Sequence, residues 1–250
     1  MAELRRLLVL GGTGEAIDLA ARAAELPGLS IVSSLAGRTR NPRMPEGDFR
    51  VGGFGGADGL ANYLRDEGID LVIDATHPFA AQITANAAAA CDCAARPILA
   101  LRRPQWRPEP NDHWIEVDTV VESAAAAGEH GHRVFVTVGR TELGPFRDRP
   151  DLWLLVRLME AALEPLGIAD GLTVVARGPF DADNEIRLMT EHRIDCVVTK
   201  NSGGDATYAK ITAARALGLP VITVRRPAIP QIDAVETIDA AIDWLKARLV

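Results

Sequence analysis

Leu7-Leu8-Val9-Leu10-Gly11-Gly12-Thr13-Gly14-Glu15-Ala16 decides how this chain folds: an apolar strand runs straight into a glycine turn that opens a helix. Glycines let backbone N–H groups approach a phosphate closely, and the following helix points the positive end of its dipole at the anion. Ile17 stands where a full dinucleotide fingerprint in the frame of Gly12 and Gly14 would have a third glycine. A purely structural tight turn is the alternative. The next strand, ending at Leu35, supports the phosphate reading. It is followed by Ala36-Gly37-Arg38-Thr39-Arg40, and no Asp or Glu occurs between Leu26 and Pro45. A carboxylate here binds the ribose hydroxyls of NAD, whereas an arginine with a hydroxyl beside it suits the 2′-phosphate of NADP.

Working outward, apolar strand runs alternate with helical periods along all 250 residues, which argues a parallel sheet with crossover helices. The first helix is expected to turn Ile17, Ala20, Ala21 and Ala24 inward, and the second Leu60 and Leu64. Strands are expected at Leu7–Leu10, Ser30–Leu35, Phe49–Val51, Leu71–Ala75 and Ile98–Leu101. A second series is expected at Ile115–Val117, Val134–Thr137, Trp153–Val156, Thr173–Ala176, Cys196–Thr199 and Val221–Val224.

Three segments of the first series are echoed in the second. Gly12-Thr13-Gly14-Glu15 pairs with Gly139-Arg140-Thr141-Glu142, Ile69–Ile73 with Ile194–Val198, and Pro97–Pro104 with Pro220–Pro227, at offsets of 127, 125 and 123 residues. The expected fold is therefore α/β, with two Rossmann-like halves whose parallel sheets face a central cleft. The boundaries are 1–103 for a nucleotide-binding domain, 104–112 for a proline-rich linker and 113–250 for a second, substrate-binding domain. Ile238–Leu249 reads as a final amphipathic helix free to pack on either half.

The net charge of −7 argues against nonspecific nucleic-acid binding, so an anionic ligand needs a local basic cleft. Cys91, Cys93 and Cys196 make neither a disulfide framework nor a zinc site, and no metal is expected. The alanine run after Phe79 is broken by Gln82, Thr84, Asn86 and Asp92; with no membrane span or signal peptide, a cytoplasmic location is expected. The oligomeric state is open, and a monomer is compatible with the sequence.

Ligands of open parallel sheets bind beyond the carboxyl ends of the strands, and the chemistry-bearing residues fall there. Asp74-Ala75-Thr76-His77-Pro78-Phe79-Ala80 ends one strand, where His77 is a candidate proton donor or a turn residue. Thr199-Lys200-Asn201-Ser202-Gly203-Gly204 ends another, where an ammonium beside free N–H donors suits a carboxylate or phosphate. Arg102, Arg103, Arg140 and Arg177 also fall at strand ends and together suggest an electropositive cleft. No Gly-x-Ser-x-Gly, metal-ligand histidine pair or Tyr-x-x-x-Lys is present, so a C=C or C=N bond is a better hydride acceptor than a ketone.

Quoted in order, the glycine turn, the Thr-His-Pro-Phe segment and the Lys-Asn-Ser-Gly-Gly segment resemble the precorrin-6A reductase family of cobalamin biosynthesis over essentially the whole length. The resemblance implies NADPH-dependent reduction of one double bond in a polyanionic tetrapyrrole, giving precorrin-6B. It leaves open a cobalt-free or a cobalt-bearing substrate. A non-catalytic NADP-sensing protein is the rival reading.

With that family in view, NADPH is expected along Gly11, Gly12, Thr13, Gly14 and Glu15, with Leu35 and Gly37, and Arg38 and Thr39 on the 2′-phosphate. Gly52, Gly53 and Phe54 would line the nucleotide, and Thr76, His77, Pro78 and Phe79 would lie near the nicotinamide. Arg102, Arg140, Arg177, Lys200, Asn201, Ser202, Gly203 and Gly204 are expected on substrate carboxylates. If the protein supplies a proton, His77 and Lys200 are the candidates.

Overall fold

A computed structural model describes residues 4–37, 45 and 47–249. Arg38 and Thr39, the expected 2′-phosphate contacts, lie outside the described residues. The chain divides into two compact units, residues 1–104 with 227–250, and residues 105–226.

The first unit runs β1 (Arg5–Leu10), α1 (Gly14–Ala24), β2 (Leu29–Leu35), β3 (Asp48–Val51), α2 (Gly56–Asp66), β4 (Leu71–Asp74), α3 (Ala81–Ala94) and β5 (Ile98–Leu101). The second runs β6 (His113–Val117), α4 (Val120–His130), β7 (Arg133–Val136), α5 (Gly144–Arg147), β8 (Trp153–Leu158), β9 (Gly171–Val175), α6 (Ala182–Glu191), β10 (Cys196–Lys200), α7 (Ala209–Leu217) and β11 (Pro220–Val224). The chain then returns to the first unit with β12 (Ala234–Val235) and α8 (Ile238–Leu249).

Each unit holds one six-stranded sheet, in the orders β12-β5-β4-β1-β2-β3 and β6-β11-β10-β7-β8-β9, with every pair parallel. Five strands of each unit share one winding: β1–β5 in the first and β7–β11 in the second. The sixth position is filled from opposite ends, by the late strand β12 in one unit and the early strand β6 in the other. All eleven expected strands are present; β12, two residues long, gave no periodic signal.

Alternation along the strands makes each sheet apolar on both faces. Leu7 and Val9 pack with Leu19, Ala23 and Ile242 on one side, while Leu8 and Leu10 pack with Leu60, Leu64 and Ala87 on the other. In the second unit Val134 and Val136 meet Phe146 and Ala127, and Phe135 meets Met189 and Ile211. Each fully buried Val, Leu, Ile, Phe or Met side chain among these stabilises the fold by about 1.5–3 kcal/mol. Thr13 caps α1 by accepting the Ala16 N–H at 3.1 Å. The helix buries Ala16, Leu19, Ala20 and Ala23, so its inward face is set one residue away from the expected Ile17–Ala24 stripe. The cap fixes the start of the helix and leaves Ala24 exposed.

Two expected boundaries are corrected. The second unit ends at residue 226 rather than 250, because β12 pairs with β5 (Arg102 N–H to the Val235 carbonyl, 2.8 Å) and α8 buries Ala241, Ile242 and Leu245 in the core of the first unit. The expected linker is in large part built into the second unit: Trp106 is buried there, packed with Phe135, Val197 and Ile211.

The echoed segments occupy equivalent places. After α2 and after α6 the chain turns through a left-handed residue (Gly68, φ 58°; Arg193, φ 50°) into a buried isoleucine. Each isoleucine, Ile69 and Ile194, donates its N–H to the preceding helix at 2.8 Å. The aspartate that follows grips the start of the central strand in both units. Asp70 accepts from the Arg6 N–H at 2.9 Å, and Asp195 from the Arg133 N–H at 2.8 Å.

Candidate functional site

In the first unit the strand order reverses between β1 and β4, and the chains leaving their carboxyl ends must part there. Gly12 takes φ +115°, a conformation that disfavours any side chain, and a Cβ at Gly12 or Gly14 would meet no atom within 4 Å. The turn is open above its backbone, and the first-turn N–H groups of α1 have no intrahelical acceptors. That combination has the chemistry to accept a phosphate.

The Thr13 hydroxyl locks the turn to β4 by donating to the Ala75 carbonyl at 2.8 Å. Glu15, in the first turn of α1, pairs with Arg103 at 2.6 Å. Burial alone would raise the Glu15 carboxyl, but the Arg103 hydrogen bond and charge, with its own backbone N–H, hold it below the usual carboxylate value. A pocket lined by Thr13, Glu15, Thr76, Pro78, Arg103 and Glu236 lies at this edge. Beyond β3, Gly52 takes φ +114°, and no atom would meet a Cβ at Gly52 or Gly53.

The Thr-His-Pro-Phe segment is held from below. Asp74 is fully buried and accepts from the Thr76 N–H (3.0 Å), the Thr76 hydroxyl (2.6 Å), the Thr84 hydroxyl (2.7 Å) and Arg102 (2.5 Å). Arg102 also donates to the Thr76 carbonyl at 3.0 Å. The expected role of Arg102 on substrate is therefore corrected: its guanidinium is buried against Asp74 and shapes the loop. His77 accepts the Phe79 N–H on Nδ1 at 3.3 Å. Leu35 accepts from the Gly52 N–H at 2.9 Å, and its buried side chain packs against Gly11 beside the glycine turn.

In the second unit Lys200 ends β10, and its Nζ lies 2.6 Å from Glu142 Oε2, which also accepts the Gly139 N–H at 3.1 Å. This pairing orients the Lys200 ammonium at the end of β10. Gly203 and Gly204 take φ +70° and +77°. Asn201 is 3 % exposed, and its amide is committed at both ends to the Trp106 backbone. Its expected role on substrate is corrected to one of fixing the loop. Arg226 donates to the carbonyls of Asn201 and Ser202, at 3.0 Å each. Arg140 is exposed in the turn after β7, and Arg177, after β9, pairs with Glu160 at 2.5 Å.

Sequence reasoning singled out both loops but not the residues that hold them: Trp106, Glu142 and Arg226 in the second unit, and Arg50, which donates to the Gly52 and Gly53 carbonyls, in the first. A signal for one was present in the echo, since Arg103 and Arg226 are equivalent arginines after equivalent strands. Among the described residues no cluster of three or more His, Cys, Asp or Glu could hold a metal ion, and no helix is long and apolar enough to cross a membrane.

Comparison with known proteins agrees over nearly the full length. Residues 6–246 match the family described as Precorrin-6x reductase CbiJ/CobK. The chain is 50 % identical to the precorrin-6A reductase of Rhodococcus erythropolis, covering 97 % of this chain and 98 % of that protein. It is 30 % identical to the cobalt-precorrin-6A reductase of Methanothermobacter thermautotrophicus, covering 91 % and 78 %. A solved structure, CobK precorrin-6A reductase, superposes with a TM-score of 0.91 at 43 % identity, covering 97 % of this chain and 96 % of that one. By its glycine turn, its paired α/β units and this full-length match, the chain belongs to the precorrin-6x reductase family, CbiJ/CobK.

Proposed function

We propose that this protein reduces precorrin-6A to precorrin-6B with NADPH, holding the cofactor on the first unit and the tetrapyrrole carboxylates on the second. The observation that carries the reading is 50 % identity to a precorrin-6A reductase over 97 % of this chain, a span that takes in both units. A cobalt-free substrate is favoured because identity falls to 30 % against a cobalt-precorrin-6A reductase. A protein that only senses NADP would leave the glycine loop beside Lys200 without a role.

The first unit fits a dinucleotide. The open backbone at Gly12 and Gly14 suits a pyrophosphate, and the space over Gly52 and Gly53 lies beyond β3 where an adenosine half would extend. When bound, NADPH supplies the hydride. Thr13, Glu15, Thr76 and Pro78 line the nearby pocket, and Arg102 and Asp74 fix the Thr76 backbone that shapes it. On the second unit Lys200, Arg140, Arg177, Ser202 and the Gly203–Gly204 backbone bind carboxylates, while Glu142, Trp106 and Arg226 hold that loop in shape. Alignment of hydride and acceptor carbon is the main catalytic demand.

Mixing the purified protein with NADPH and precorrin-6A, and following the nicotinamide absorbance, tests this directly. One NADPH consumed per macrocycle is the expected result. Cofactor binding without consumption would favour the sensing role.

A further inference from the structure

Arg50 presents a positive charge at the carboxyl end of β2, where the substituent on the ribose 2′-oxygen of a Rossmann-bound dinucleotide is read. Its Cα pairs in register with Ser34 on β2, and its Nη1 donates to the Ser34 hydroxyl at 2.9 Å. Nη1 also donates to the Gly52 carbonyl at 3.0 Å, and Nη2 to the Gly53 carbonyl at 2.9 Å. The guanidinium stacks on Phe54, 3.8 Å from the ring centroid. Every one of these partners is neutral. Four other strand-end arginines differ: Arg102, Arg103, Arg177 and Arg225 each face a carboxylate within 3.4 Å.

The chain leaving β2 comes to the same place. Gly37 takes φ +72° and lies so close to Val51, the neighbour of Arg50, that a Cβ there would stand 3.0 Å from Val51 Cγ1. The turn after β2 therefore meets the end of β3, with Val51 on the sheet face opposite Arg50. Stacking on Phe54 and three hydrogen bonds hold the guanidinium plane, and among the described residues no carboxylate pairs with its charge. A planar, oriented guanidinium is suited to a phosphate dianion.

We infer that Arg50 is a specificity-determining residue for the phosphorylated cofactor, contacting the 2′-phosphate from β3. The inference rests on the NADPH reading above and adds a residue that the strand-following arginine pattern did not reveal. NADH lacks the phosphate and would leave Arg50 unengaged.

The test is the dissociation constant of NADPH and of NADH, by fluorescence titration, for the wild type, Arg50→Gln and Arg50→Lys, with thermal melts to confirm folding. The expected result is an NADPH affinity about ten- to a hundredfold weaker in Arg50→Gln. NADH affinity should fall far less than NADPH affinity, and Arg50→Lys should be intermediate for NADPH. Equal losses for both cofactors, in either folded variant, would show that Arg50 only shapes the Gly52–Phe54 loop and would overturn the inference. Unchanged NADPH affinity would overturn it too. A wild type that does not distinguish NADPH from NADH would instead overturn the cofactor reading on which it rests.

Discussion

Asn201 and Trp106 are joined through both ends of one amide: Oδ1 accepts the Trp106 N–H at 2.9 Å, and Nδ2 donates to the Trp106 carbonyl at 3.0 Å. The Trp106 indole N–H closes the clasp on the Gly204 carbonyl at 2.9 Å. Asn201→Ala would strand two buried backbone groups, at about 1–3 kcal/mol each. Denaturant unfolding should show that loss, and the KM for the tetrapyrrole should rise while the dissociation constant of NADPH stays near wild type. Stability within about 0.5 kcal/mol of wild type would contradict the clasp, being the size of an ordinary surface change.

Arg102 is predicted to matter for folding before it matters for turnover. Its side chain is 11 % exposed and Asp74 is fully buried, so Arg102→Met leaves a buried carboxylate without its counter-charge. Breaking such a pair typically costs about 3–5 kcal/mol. Unfolding measurements should find a loss of that order, with NADPH binding weakened as the Thr76 loop relaxes. A loss of under about 1 kcal/mol would place the pair among ordinary surface contacts.

Lys210 gives the second unit a pH signature. It is buried on α7, donates to the Thr207 carbonyl at 2.6 Å and lies 4.8 Å from the Trp106 ring centroid. Burial lowers its ammonium to about 7; Arg157 pushes the same way and Glu185 opposes. The unfolded chain keeps this proton up to about 10.4. Between those values the unfolded state binds more protons, so the lysine's contribution to stability rises with pH; below 7 its penalty is full. The slope for one proton is at most about 1.4 kcal/mol per pH unit. Unfolding free energies of wild type and Lys210→Met should converge as pH rises from neutral. Parallel curves would contradict the depressed value.

His77 is predicted to align rather than to donate a proton. Its Nδ1 accepts the Phe79 N–H at 3.3 Å, a role that an asparagine amide oxygen can assume. His77→Asn should keep most activity and the wild-type pH profile. A general acid contributes about a hundred- to ten-thousandfold, so a loss of that size with disappearance of an ionisation near neutrality would make His77 the donor.

The strands, their parallel pairing and the repeated halves were legible because unbroken apolar runs and the Ile-Asp and Arg-Arg-Pro echoes are local features. The return of β12 and α8 to the first unit was not. The pattern of α8 marks an apolar face but not its partner, and Arg102–Val235 pairing is a contact between distant residues. The loops of the candidate site stand out in the sequence at Gly12-Thr13-Gly14 and at Lys200-Asn201-Ser202-Gly203-Gly204. Which polar side chains face a ligand and which face the protein was not legible. Asn201 and Arg102 stand in the right segments, but their groups are claimed by Trp106 and Asp74, and only packing decides that.

The central claim is direct reduction of the macrocycle at the expense of NADPH, and NADPH carrying deuterium at both C4 positions tests it most directly. Single turnover with precorrin-6A, read by mass spectrometry of the product, should yield a macrocycle heavier by one deuterium and one protium, whichever face delivers the hydride. A product heavier by two protiums, or unchanged precorrin-6A beside intact cofactor, would contradict the account.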